Sequence, residues 1–159
     1  MQTIIRLVPW AGAAFISAIF IDSLRFKFTG HPTPRHIFET LKEWSGIDLF
    51  YPAGPWIIGL GELLSSVLLL ALPLFLIAAK KRPLADLSQL GGALVALAIM
   101  SGAIVFHLFT PLGTATPTEW VNGEPVKFSE ALFYAACVSW VLAVVIVFLR
   151  RDSLKAIRA

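Results

Sequence analysis

The chain reads as an all-α integral membrane protein: a four-helix bundle with a short amphipathic surface helix in its first outer loop. Three observations lead there. Of 159 residues, 57% are hydrophobic and 14% charged, where a soluble domain carries about 25% charged residues. The mean hydropathy of +0.79 points to lipid rather than water as the solvent for most of the surface. Apolar runs also recur four times, at about 4–24, 56–79, 87–109 and 129–149. Each is close to the ~20 residues needed to cross a hydrocarbon core. One bundle in one domain, 1–159, follows from this length.

The first run, IIRLVPWAGAAFISAIFIDSL, has the short basic start and apolar middle of a secretory signal, yet is expected to be retained as a span. Ala11, Gly12, Ala13, Ala14, Ser17 and Ala18 offer small side chains for close helix contact. It ends in Asp22, Arg25 and Lys27, with Asp22 and Arg25 spaced to face one another on a continuing helix. His31-Pro32-Thr33-Pro34 then breaks the chain, with Thr33 a fitting N-cap and Pro34 preset for the first helical position. From Arg35 to Ser45, Ile37, Phe38, Leu41 and Trp44 share one face against Arg35, Glu39, Lys42 and Glu43, and Gly46 supplies the stop. Such a helix suits a membrane surface or the end of a bundle.

Tyr51 and Trp56 fit an interfacial aromatic belt at the start of the second span. Glu62 lies six residues further in, about 9 Å deeper at the helical rise. Pro73 falls well inside the same span, where it should kink the helix and free a carbonyl for another partner. Lys80, Lys81, Arg82 and Pro83 stop that span, and His107 sits in the last turns of the third. In the connection after it, Trp120-Val121-Asn122-Gly123-Glu124 carries an Asn-Gly turn, and Pro125 weakens the return strand, so a small irregular hairpin is predicted. Glu130 and Tyr134 open the fourth span.

Basic residues cluster at 80–82 and again at Arg150, Arg151, Lys155 and Arg158, which places both termini in the cytoplasm of a bacterial-type inner membrane. Arg25, Lys27, Arg35 and Lys42 in the first outer connection weigh against that orientation. Alternating spans then bring Asp22, Lys27, Glu62, His107 and Tyr134 to the outer side, leaving the inner half nearly pure hydrocarbon. Such a set permits a buried ion pair that fixes helix register, a pocket for the polar head of a lipid-soluble molecule, or a proton relay to it. Phe38, Trp44 and Trp120 are candidates for binding a partner, either another membrane protein or a second copy. No metal, haem or flavin is expected, because the histidines lack ligand spacing and no Gly-rich nucleotide loop is present. The net charge of +3 reflects basic helix ends rather than a nucleic-acid site, for there is no basic stripe with interleaved aromatics. Cys137, the only cysteine, can form no internal disulfide.

Phe26-Lys27-Phe28-Thr29-Gly30, Gly59-Leu60-Gly61-Glu62-Leu63-Leu64, and Met100-Ser101-Gly102-Ala103 with His107-Leu108 and Pro111-Leu112-Gly113 together resemble the DoxX-like superfamily of small four-span membrane proteins, over about residues 8–150. The resemblance implies a four-helix membrane bundle, with Lys27, Glu62 and His107 at family-like polar positions. It further implies an accessory subunit of a membrane oxidoreductase or respiratory-type complex, with quinone as the one cofactor in reach. Whether such a chain is itself an enzyme stays open. The long outer connections, with a surface helix and the Trp120 turn, depart from that pattern and equally suit a non-enzymatic assembly module.

Overall fold

The computed structural model describes residues 2–157; Arg158 of the basic C-terminal cluster lies outside them. Five helices and one hairpin account for most of the chain: α1 (Gln2–Phe28), α2 (Pro32–Ser45), α3 (Ala53–Ala78), α4 (Arg82–Phe109), β1 (Thr116–Val121), β2 (Glu124–Ser129) and α5 (Ala131–Arg150). Short 3₁₀ turns cover Asp48–Phe50 and Arg151–Ile157. By length and composition, α1, α3, α4 and α5 are each apolar enough to cross a membrane. Each packs against the span before and after it, and α5 closes back onto α1. The shared core is made of small and medium side chains, Ala13, Ile16, Phe20, Leu69, Ala93, Ala96, Met100, Ala136, Ala143 and Ile146. Where lipid is as apolar as the core, this close fit supplies the attraction between helices.

The boundaries differ from the expected spans at several ends: α1 runs on to Phe28 rather than stopping near 24, and α3 begins at Ala53 rather than near 56. Helix α4 starts at Arg82 rather than near 87, because Pro83 occupies its first turn, where a missing N–H does no harm. Helix α5 starts at Ala131 because residues up to Ser129 belong to β2. The hairpin turns through Asn122 and Gly123 at φ 53° and 85°, the pair of left-handed conformations a two-residue turn demands. Register slips between Pro117 and Glu119 and between Glu119 and Trp120 make it irregular. Helix α2 also starts earlier than expected. His31, not Thr33, caps it: Nδ1 of His31 accepts from the Thr33 N–H at 3.2 Å, and Pro32 takes the first turn. Thr33 is thereby released for tertiary contacts, its hydroxyl donating to the Pro117 carbonyl at 2.9 Å and accepting from Trp120 Nε1 at 3.0 Å.

Pro73 governs the middle of α3. Lacking an N–H, it leaves the Leu69 carbonyl without its helical donor. The helix widens into a π turn over Val67–Ala71, in which the Leu72 N–H reaches the Val67 carbonyl and so also leaves Leu68 free. Both carbonyls are met from α4, Leu68 by Ser88 Oγ at 2.8 Å and Leu69 by Gln89 Nε2 at 3.3 Å. Arg150 at the end of α5 completes the group, donating through Nε to Gln89 Oε1 at 2.9 Å and pairing with Asp86 at 3.0 Å. The end of the bundle expected to be hydrocarbon therefore carries a polar network built on Gln89. Backbone groups freed inside lipid must find partners within the protein, and that requirement explains it.

Gly92 allows the close approach of α4 that these bonds need. A Cβ there would stand 2.8 Å from the Leu69 nitrogen and 2.9 Å from Leu68 Cβ. Gly92→Ala is expected to push the helices apart and destabilise the protein by about 1–3 kcal/mol. Reversible unfolding in mixed micelles measures this.

Candidate functional site

Residues from the end of α1, the start of α3, the end of α4 and the start of α5 line one cavity of about 620 Å³. The four spans therefore alternate in direction, and these ends lie together. The walls are Ile19, Phe20, Ile57, Ile58, Ile99, Met100, Phe106, Leu132 and Ala136. Phe38 and Leu41 of α2, with Leu49 and Phe50 of the following turn, complete the lining. The polar side chains in it are Ser23, Lys27, Glu62 and His107.

The first three form a closed group. Lys27 Nζ donates to both carboxylate oxygens of Glu62 at 2.8 Å and to Ser23 Oγ at 3.0 Å, while Ser23 Oγ donates to Glu62 Oε2 at 2.6 Å. Ser23 and Lys27 are four apart on α1 and so share a face, directly opposite Glu62 of α3. Glu62 is only 3% exposed. A lone carboxylate so placed would be costly, and the ammonium with its serine satisfies it. Phe28 adds an aromatic contact beside the pair, stacking on Trp56 with ring centres 4.8 Å apart.

His107 lies on α4 and is 7% exposed. Its Nδ1 is 2.6 Å from the carbonyl of Gly113, in the turn that ends the span. A carbonyl only accepts, so Nδ1 carries the proton, and in the neutral ring Nε2 is the acceptor. Phe133 stands edge-on to the ring at 5.8 Å.

Lys27, Glu62 and His107 thus reach one cavity, although no hydrogen bond joins His107 to the ion pair among the described residues. Asp22 does not join them: it is solvent-facing and pairs with Arg25 at 2.9 Å. A residue five before Lys27 points to another side of the helix. Tyr134 is 59% exposed and donates to Glu130 Oε2 at 3.1 Å, outside the cavity. Ser23 was not a sequence candidate. Its signal was present in the i, i+4 spacing to Lys27, although a serine in a membrane span is common and points nowhere by itself.

The partner-binding candidates divide. Phe38 is buried between α2 and Gly54 and lines the cavity, so no partner can reach it. Trp120 is tied to Thr33 and stands over His36 at 5.9 Å. Trp44 is 52% exposed. Around them, exposed ion pairs trim the loops. The hydrogen bond from Lys42 holds the Asp48 carboxyl below its ordinary range and raises the Lys42 ammonium above its own. Glu119 raises Lys127 in the same way, and Glu39 raises Arg35. All lie in water, where such pairs contribute little.

Fold and composition define a helical protein of the multi-pass membrane class, with a polar group set in an apolar cavity at one end of its four candidate spans. No protein-family model matches the chain, and no curated protein or solved structure is significantly similar to it. His, Cys, Asp and Glu side chains form no metal-binding group of three among the described residues.

The ion pair makes a stability prediction of its own. Lys27→Met, which leaves Glu62 buried without a counter-charge, should cost about 3–5 kcal/mol. Adding Glu62→Leu to it should recover most of that loss. A double-mutant cycle on unfolding in micelles checks both, and an additive cycle would show that the pair is not coupled.

Proposed function

We propose that this chain is a DoxX-like accessory subunit of a membrane oxidoreductase or respiratory-type complex, and that its cavity receives the head of a quinone or another lipid-soluble molecule. The observation that carries the reading is the cavity itself: about 620 Å³ of largely apolar space with the Lys27–Glu62–Ser23 group in its wall. Ligand sites combine apolar walls with a few fixed polar groups in this way. The sequence runs around Lys27, Glu62 and His107 that resemble the DoxX-like superfamily lend it a second, independent support.

In this reading the protein spans a bacterial-type cytoplasmic membrane, with both termini inside and the cavity near the outer face. Lys80, Lys81, Arg82, Arg150, Arg151 and Lys155 belong to the end opposite the cavity, and an excess of positive charge marks the cytoplasmic side. Helix α2 lies along the outer surface, with Pro34, Phe38 and Leu41 turned to the bundle and Arg35, Glu39 and Lys42 turned to water.

Quinones and lipids extracted from the protein purified in mild detergent test the cavity directly. Ala103→Phe places a ring in the cavity wall and should expel most of the co-purifying molecule. Equal amounts from the two proteins would overturn the reading. In membranes, Glu62→Gln and His107→Ala should each slow quinone-dependent electron transfer by the complex.

A second reading rests on the hairpin. Val121, Val126 and Phe128 are exposed on a two-stranded sheet whose outer edges are unpaired, which suits an assembly module that docks another membrane protein. Replacing 118–127 by a short glycine linker should then abolish co-purification of that protein while the bundle stays folded. An unchanged pull-down would count against it.

A further inference from the structure

The cavity is chemically one-sided, and that asymmetry says what kind of head it accepts. Every donor of the ion-pair group is already used. The three protons of the Lys27 ammonium are directed at Glu62 Oε1, Glu62 Oε2 and Ser23 Oγ, and the single Ser23 hydroxyl proton is shared between Glu62 Oε2 at 2.6 Å and the Phe20 carbonyl at 2.8 Å. At His107 the Nδ1 proton is committed to the Gly113 carbonyl. What remains is acceptors: the spare lone pairs of Glu62 and Nε2 of His107, for which no hydrogen bond is present among the described residues. The His107 ring is more than nine-tenths buried and lines the cavity. A ligand that enters the cavity can supply the donor this acceptor lacks. Four phenylalanine rings line the same space, Phe20, Phe38, Phe50 and Phe106, the last two meeting edge to face at 5.4 Å.

We propose that the cavity binds an apolar molecule with a phenolic head, whose hydroxyl donates to His107 Nε2 while its ring packs among Phe38, Phe50 and Phe106. This rests on the reading of the cavity as a site for a lipid-soluble molecule, and it narrows the class. A hydroquinol or another alkylated phenol has the donor the site lacks. An oxidised quinone offers only carbonyl acceptors and leaves Nε2 unsatisfied. A molecule that offers a donor is therefore favoured over one that offers only acceptors.

Three probes of similar size separate the ideas: tritiated 4-octylphenol, 4-octylanisole and 1-dodecanol, bound to the full chain in lipid nanodiscs with empty nanodiscs subtracted. The phenol should bind roughly tenfold more tightly than its methyl ether, the factor expected for one buried hydrogen bond made or lost. The alcohol should bind more weakly than the phenol, since it has the donor but no ring; equal or tighter binding of the alcohol would overturn the phenolic assignment in favour of a lipid alcohol. His107→Phe keeps an aromatic wall and should bind phenol and anisole alike. In protein labelled with ¹⁵N-histidine, the Nε2 resonance of His107 should move with the phenol and stay fixed with the anisole, a readout that does not depend on the variant folding. If the wild-type protein binds phenol and anisole equally, the donor preference is refuted while the cavity stands. If it binds none of the three, the cavity reading fails as well.

Discussion

A lysine and a glutamate facing each other between two apolar helices constrain this protein more than any other contact. Lys27 and Glu62 come from different spans, at the end of α1 and near the start of α3, and each would be costly in an apolar interior without the other. Their pairing fixes how far one helix slides along its neighbour, because a shift of one turn would separate the charges by ~5 Å. Ser23 makes the arrangement directional. It accepts from the ammonium and donates to the carboxylate, so the three groups close on themselves and leave few hydrogen-bonding groups exposed to the surrounding hydrocarbon. A pair this well satisfied serves register whether or not a ligand visits, and under the proposed function the adjoining cavity gives it a second use.

The opposite end of the bundle solves a different problem. Pro73 removes a donor from the backbone of α3, and the π turn before it leaves a second carbonyl free. Ser88 and Gln89 reach across from α4 to both, and Arg150 of α5 holds Gln89 in place. In lipid there is no water to absorb such defects, so a break in one helix dictates polar residues on the next. The bundle is thus pinned at both ends by polar contacts, with a close-packed apolar middle around Ala93, Ala96 and Ala143.

Between the ion pair and the loops lies the cavity, walled by the spans and completed by the loops. Helix α2 brings Phe38 and Leu41 over it, the turn Asp48–Phe50 adds Leu49 and Phe50, and the hairpin holds α2 through Thr33 and Trp120. Helix α2, which in sequence resembles a separate partner-binding addition, belongs in part to the wall of this chamber, and the hairpin braces it. His107 lines the cavity, with Nδ1 occupied by Gly113 and no hydrogen bond to Nε2 among the described residues.

The sequence by itself determined the elements. Hydrophobic runs of membrane length, the Asn-Gly turn, the stop at Gly46 and the carbonyl freed by Pro73 are local signals, each written in neighbouring residues, and each stands in the structure where it was expected to within a few positions. Glu62 was legible as an exception because a carboxylate in an apolar run is costly wherever the helix packs. The pairing of residues far apart in the chain was decided by tertiary structure alone. Helix rotation chose Lys27 over Asp22, placed Tyr134 on the outside, buried Phe38 and recruited Ser23, and no spacing within one segment contains that rotation. Gln89 shows the same limit at the other end. Its role depends on a carbonyl freed twenty residues earlier in another helix, and becomes visible only when the two helices lie side by side.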